Sequence, residues 1–275
     1  MKNTRILIVL LLTLTIFIGC AHTTSNVSKA SASPVLDRIL QRGELIVGTA
    51  GSMPPLNMTT KEGEVIGFEA DFAGIIAGAM GVTLRVETMP FSDLLPAMKA
   101  GNIAMIMSGM TMTPRRNLTV AFVGPYFISG KGFLTKIKTI ADATSTSAIN
   151  SPGTRLIALE GSTSQTFVET LAPKATLLTA KGYDEAVEMV IQGQVHAMVA
   201  DHPICMVSVL RYPEEKLMTM ISPLTYEPIG IALPANDLHL VNWLENLLKS
   251  IKGNGRLKDL QERWFEDASW LKKLP

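Results

Sequence analysis

Cysteine is nearly missing, with 2 residues in a chain of 275. That excludes a disulfide framework and a four-thiolate zinc site. Histidine is almost as sparse, and His22, His196, His202 and His239 show no metal-ligand spacing. No metal and no cofactor is therefore expected. Net charge is also lacking, at a formal +1. A near-neutral chain has no electrostatic footprint for a phosphate backbone, so no nucleic-acid partner is expected. No Ser-His-Asp arrangement, cysteine nucleophile or phosphate loop can be read. What the chain does have is 47% hydrophobic residues, ample for a packed core and incompatible with disorder. The length allows one large domain or two smaller ones.

The first twenty residues stand apart. Lys2 and Arg5 precede an apolar run, Ile6 to Ile18, that ends at Gly19 and Cys20. The run is too short for a membrane span of about 20 residues and matches a secretory leader. A small residue followed by cysteine resembles a lipoprotein signal, although Phe17 stands where leucine is usual. The pattern predicts a lipoprotein signal peptide over 1–20, with Cys20 lipidated and the protein tethered to a membrane at the periplasmic or cell-surface side. An ordinary leader cut near Ala21 is the plainer alternative. Without the leader's two cations the chain carries 23 basic against 24 acidic residues. Residues 21–43 then read as a Ser/Thr/Ala-rich tether followed by a short helix. Cys205 reads as a small buried apolar residue.

From Glu44 the hydrophobic period alternates between strand and helix. Glu44 to Thr49 reads as a strand, Phe68 to Met80 as a helix stopped by Gly81, and Val82 to Thr88 as a strand. Asp93 to Ala100 reads as a helix stopped by Gly101, and Ile103 to Met107 as a buried strand. A second pass of the same grammar runs from the strand Arg155 to Leu159 to the strand Ala197 to Ala200. Lys138 to Gly153 reads as surface loop between them. Such alternation predicts an α/β fold with a mainly parallel sheet. Two α/β lobes suggest a cleft, with binding residues just after the strands.

Three segments carry chemistry. Ser108 to Arg116 follows a strand. There Gly109 permits close backbone approach, Thr111 supplies a hydroxyl, and an arginine can fork onto a carboxylate. Both arginines could equally be solvated helix-start charges. Gly161 to Gln165 follows another strand and offers hydroxyls at a helix N-terminus, as an anion site or a plain cap. Asp201, after the strand Ala197 to Ala200, could hold an ammonium group or cap a helix before Pro203. Taken together, an arginine with hydroxyls and an opposing acid are what a zwitterionic amino acid requires, because each buried charge must be paired.

These residues resemble the polar amino-acid group of the bacterial extracellular solute-binding proteins (family 3), the capture components of ABC importers. The resemblance rests on GFEADFAGIIAGAMG at Gly67 to Gly81, SGMTMTPRR at Ser108 to Arg116 continuing to AFVGPYF, and GQVHAMVAD at Gly193 to Asp201. It implies a two-lobe periplasmic-binding-protein-like (type II) α/β fold with a hinge of two crossing strands. Lobe 1 would span 44–129 and 224–275, and lobe 2 would span 130–223. It further implies Arg116, not Arg115, as the carboxylate clamp, supported by Thr111 and a backbone contact at Gly109. Thr163 would be the second-lobe contact, with Ser162 beside it. Asp201 would receive the ammonium group. Phe91 would line the side-chain pocket, where Met53 replaces a common covering aromatic and Ala50 a common acid. Glu69 and Asp71 match the signature acids and are expected to be structural. The implied partners are a small amino acid and an ABC permease, with the receptor monomeric.

The apolar character of Ala50, Met53 and Phe91 favours a neutral or apolar amino acid and binding without turnover. Two other readings stay open. A cyclohexadienyl dehydratase offshoot of the fold needs a general acid, where this chain offers Gln165. A ligand-sensing module would need a partner chain.

Overall fold

The computed structural model describes residues 33–275. The leader at 1–20, Cys20 and the tether up to residue 32 lie outside the described residues. The strands run in chain order as β1 (Glu44–Thr49), β2 (Ser52–Met53), β3 (Asn57–Thr59), β4 (Val65–Ile66), β5 (Thr83–Thr88), β6 (Met105–Ile106) and β7 (Val120–Ser129). They continue as β8 (Lys131–Thr135), β9 (Arg155–Leu159), β10 (Thr176–Ala180), β11 (Ala197–Asp201), β12 (Met218–Thr219) and β13 (Glu227–Pro234).

Two five-stranded sheets organise the molecule, one in the order β5-β1-β6-β13-β7 and the other in the order β10-β9-β11-β8-β12. This is a two-lobe α/β architecture. Neither sheet is wholly parallel. β1 runs parallel to β5 and β6, but β13 is antiparallel to β6 and β7. Likewise β9 is parallel to β10 and β11, while β8 is antiparallel to β11 and β12. The βαβ units make the parallel half of each sheet, because a crossover helix returns the chain in the same direction. The strands that arrive from the other lobe make the antiparallel half. The sequence pattern exposes the first kind and hides the second.

The local causes are plain in the helix Phe68–Met80. Phe68, Phe72 and Ile76 recur every four residues and are buried together. That is the spacing that puts side chains on one helical face. The helix stops at Gly81, whose φ of 71° is left-handed and suits glycine. Phe72 meets Tyr126 of β7 edge-on, with ring centroids 5.6 Å apart, an arrangement that adds to simple burial.

The chain passes between the sheets twice, from β7 to β8 and from β12 to β13, and the two crossings touch. Lys131 N–H donates to Thr225 Oγ1 at 2.9 Å, and Leu224 N–H donates to the Lys131 carbonyl at 2.8 Å. A Cβ on Gly130 would stand 2.2 Å from the Thr225 carbonyl oxygen, so only glycine fits between the strands there. One apolar cluster extends through both lobes, joining Met53, Phe91 and Met110 to Leu159, Tyr183 and Ile204. Among the described residues no helix is long and apolar enough to cross a membrane.

Candidate functional site

The segment after β6 is fixed from below by Glu69, in the first turn of the helix Phe68–Met80. Its Oε1 accepts from Gly109 N–H at 2.7 Å, and its Oε2 from Asn57 Nδ2 at 2.6 Å. The Tyr126 hydroxyl also donates to Glu69. Burial pushes the Glu69 carboxyl up, and these three hydrogen bonds pull it back only in part. Gly109 has a left-handed φ of 57°, and a Cβ there would meet Met53 Cε at 2.8 Å. Met53 therefore packs directly on the backbone of this turn. Ser108 Oγ accepts from Ala50 N–H at 2.8 Å and ties the turn to the end of β1.

This scaffold presents Arg116 and leaves Arg115 in solvent. Thr113 caps the short helix Pro114–Asn117 by accepting from Arg116 N–H at 3.1 Å. The Arg116 guanidinium then turns inward. Nη1 donates to the Thr111 carbonyl at 2.9 Å, and Nη2 crosses to the Gly161 carbonyl of the other lobe at 3.2 Å. It also stands over the ring of Phe91, 5.6 Å from the centroid, within cation–π range. Burial lowers its pKa, and the charges of Asp201 and Glu227 work in the opposite direction. The guanidinium thus lies within electrostatic reach of both acids.

From the second lobe, Ser162 and Thr163 open the helix Thr163–Leu171. Ser162 Oγ accepts from Gln165 N–H at 3.2 Å and donates to the Leu159 carbonyl at 2.7 Å, so its hydroxyl is a helix cap. Thr163 Oγ1 reaches across the lobes to Thr111 Oγ1 at 3.2 Å. A groove of about 770 Å³ lies here, with Thr113, Arg116, Gly161, Thr163, Gln165 and Glu227 among its walls. Met53 and Phe91 are buried in the apolar cluster that joins the lobes.

Asp201 ends β11 at the N-terminus of the helix His202–Arg211, yet its side chain makes no cap. Instead Oδ1 receives Lys131 Nζ at 2.5 Å, both side chains being almost fully buried at 4% and 1% exposure. Lys131 Nζ lies 3.6 Å from Glu227 Oε2 as well, and Glu227 is 12% exposed. Burial and then the Asp201 charge push the Tyr183 hydroxyl well up. Sequence reasoning found Asp201 and missed Lys131, Glu227 and Tyr183. A lysine inside the run Gly130 to Thr135, which is otherwise apolar or small, was the available signal, because an unpaired lysine is almost never fully buried.

The residues expected to form one site therefore divide into three groups. Arg116, Thr111 and Thr163 meet at the lobe boundary. Met53 packs on Gly109, and Phe91 stacks against the Arg116 guanidinium. Asp201 is within electrostatic reach of Arg116 but is held by Lys131.

The comparisons with known proteins bear on the family and the fold. The ABC transporter glutamine-binding protein GlnH of Bacillus subtilis is 25% identical over 257 residues, covering 90% of this chain and 91% of that protein. The cyclohexadienyl dehydratase of Pseudomonas aeruginosa is 24% identical over 249 residues, covering 90% and 92%. Among solved structures, a binding component of an ABC transporter from Wolinella succinogenes, complexed with lysine, superposes with a TM-score of 0.80 at 34% identity. It covers 84% of this chain and 100% of that one. The profile of the bacterial extracellular solute-binding proteins, family 3, matches residues 45–267, and the chain belongs to that family of amino-acid-binding ABC-transporter components.

Proposed function

We propose that this protein captures a neutral or apolar α-amino acid between its lobes for an ABC permease, with Arg116 gripping the carboxylate. The observation that carries this reading is the inward guanidinium, held by the Thr111 carbonyl of its own lobe and the Gly161 carbonyl of the other. Two carbonyls are modest partners for a cation, and a carboxylate offers a bidentate one. Thr111 and Thr163 would supply hydroxyls to the same group, and Gly109 keeps the backbone close. Met53 and Phe91, buried in the shared apolar cluster, favour a hydrocarbon side chain over a charged one. The relatives' own ligands, glutamine and lysine by name, differ too much to choose for this chain. Lipid anchoring through Cys20 and a monomeric receptor complete the proposal.

Isothermal titration with the twenty common L-amino acids tests it. At least one neutral member should bind stoichiometrically without turnover. Arg116→Ala should weaken that binding by at least 100-fold, on the order of two charge-assisted hydrogen bonds, and Arg115→Ala by less than threefold. Failure of every amino acid to bind, or equal losses in the two variants, overturns the assignment.

The Pseudomonas aeruginosa relative supports a second, enzymatic reading. Against it, Gln165 faces the groove, where its amide bonds Glu169 and Gly161 and has no acidic proton to give. Phenylpyruvate formed from prephenate, followed by absorbance, would establish the enzyme.

A further inference from the structure

We infer that Glu227, not Asp201, is the acid that receives the solute's ammonium group. The inference rests on the amino-acid reading above and deepens it.

The charges here pair unequally. Four ionisable side chains come together here: Arg116 and Lys131 against Asp201 and Glu227. Lys131 Nζ sits 2.5 Å from Asp201 Oδ1, and both are sealed from solvent. That is a hydrogen-bonded, charge-neutral pair. Buried ions are tolerated when matched in this way, and a matched pair offers little to an incoming cation. The same ammonium stands 3.6 Å from Glu227 Oε2, beyond hydrogen-bond range. Glu227 Oε1 accepts from the Thr225 hydroxyl at 3.0 Å. Oε2 thus makes only the longer of the two carboxylate contacts of Lys131.

Position separates them further. Glu227 lines the interlobe groove together with Arg116 and Thr163, whereas Asp201 does not. Of the groove's charged side chains Arg115 and Glu169 are exposed, so with the Lys131–Asp201 pair neutral Arg116 and Glu227 are the cation and anion left partly buried there. An α-amino acid carries the opposite set, so its carboxylate would take Arg116 and its ammonium would take Glu227. The solute class is then a free zwitterion, not a carboxylate alone. Lys131 is the positioning residue, because it occupies Asp201 and leaves the ammonium contact to the neighbouring acid.

Glu227 begins β13, directly after the second crossing between the lobes. A contact there would join the solute's amino end to the hinge, while its carboxyl end joins the two lobe faces through Arg116.

The test compares each L-amino acid that binds with the 2-hydroxy acid of the same skeleton, which keeps the carboxylate and lacks the ammonium. Titrations use the wild type, Glu227→Gln and Glu227→Asp, with circular dichroism confirming the fold. The wild type should prefer the amino acid by at least tenfold. Glu227→Gln should lose at least tenfold for the amino acid and less than threefold for the hydroxy acid, erasing the preference. Glu227→Asp keeps a negative charge near Lys131 and guards against misfolding. It should cut the preference at least threefold by withdrawing the carboxylate. Two results overturn the proposal: a preference unchanged in both variants, or a wild type that prefers the hydroxy acid because Lys131 already fills the ammonium site. If the wild type binds neither class, the amino-acid reading itself has failed, which is a distinct outcome.

Discussion

Replacing Lys131 with methionine should damage this protein far more than any surface change. The Lys131 and Asp201 side chains are exposed by only 1% and 4%, and Nζ lies 2.5 Å from Oδ1. Methionine keeps most of the chain length and removes the charge. Asp201 would then be buried without the counter-ion it bonds, and Glu227 would lose the same ammonium. Breaking a buried pair from one side costs about 3–5 kcal/mol, since the remaining charge keeps its desolvation penalty and loses its partner. For a chain of this size each kcal/mol corresponds to about 2–4 °C in melting temperature, so a fall on the order of 10 °C is expected. Urea unfolding followed by circular dichroism measures it directly. Removing both charges, with Asp201→Asn added to Lys131→Met, should recover most of the loss, because the more deeply buried carboxylate is neutralised together with its partner. A single variant within about 1 kcal/mol of the wild type, the ceiling for most exposed pairs, would refute the claim that this bond is sealed from water.

Two further outcomes concern Glu69 and Gly130. Burial holds the Glu69 carboxyl above its ordinary value of 4.5, so the folded state binds the proton more tightly than the unfolded chain. Its contribution is fully present below pH 4.5 and is lost as pH rises through the higher folded value. Glu69→Gln should flatten the stability profile above pH 4.5, and an unchanged slope in urea titrations at several pH values would contradict the cause given. Gly130→Ala should cost about 1–3 kcal/mol as overpacking, since its Cβ would meet the Thr225 carbonyl oxygen at 2.2 Å. Gly74→Ala, on a helix with open space around it, should instead stabilise by about 0.5–1 kcal/mol. Equal effects in chemical denaturation would show that the crossing strands are not in contact.

How much of this was legible in the sequence depended on the range of the cause. The helix Phe68–Met80 was read with its exact bounds, because a four-residue apolar spacing and a terminal glycine are local signals. β1 and β9 were legible for a similar reason, as short β-branched and aliphatic runs bounded by turn residues. β7 and β8 went unread, since Gly124, Pro125 and Gly130 break the pattern and their pairing partners lie on the distant strands β13 and β11. Lys138 to Gly153, read as loop, contains the short helices Lys138–Ala141 and Thr146–Ala148, each shorter than a detectable period. At the site, the choice of Arg116 over its neighbour came from family resemblance, and its inward turn depends on the Thr113 cap. The Lys131–Asp201 bond spans 70 positions. Nothing near either residue announces the other. Glu227 sits between exposed Tyr226 and Pro228 and reads as an ordinary turn acid.

The apolar cluster that runs from Met53 and Phe91 to Leu159 and Tyr183 has a thermodynamic consequence. Hydrocarbon shared by the two halves is removed from water only while they are apposed. Bringing them together must then carry a negative heat-capacity change, as any such dehydration does. The balance between apposed and parted halves should therefore bend with temperature, and cooling should loosen the grip that warming to ambient conditions tightens.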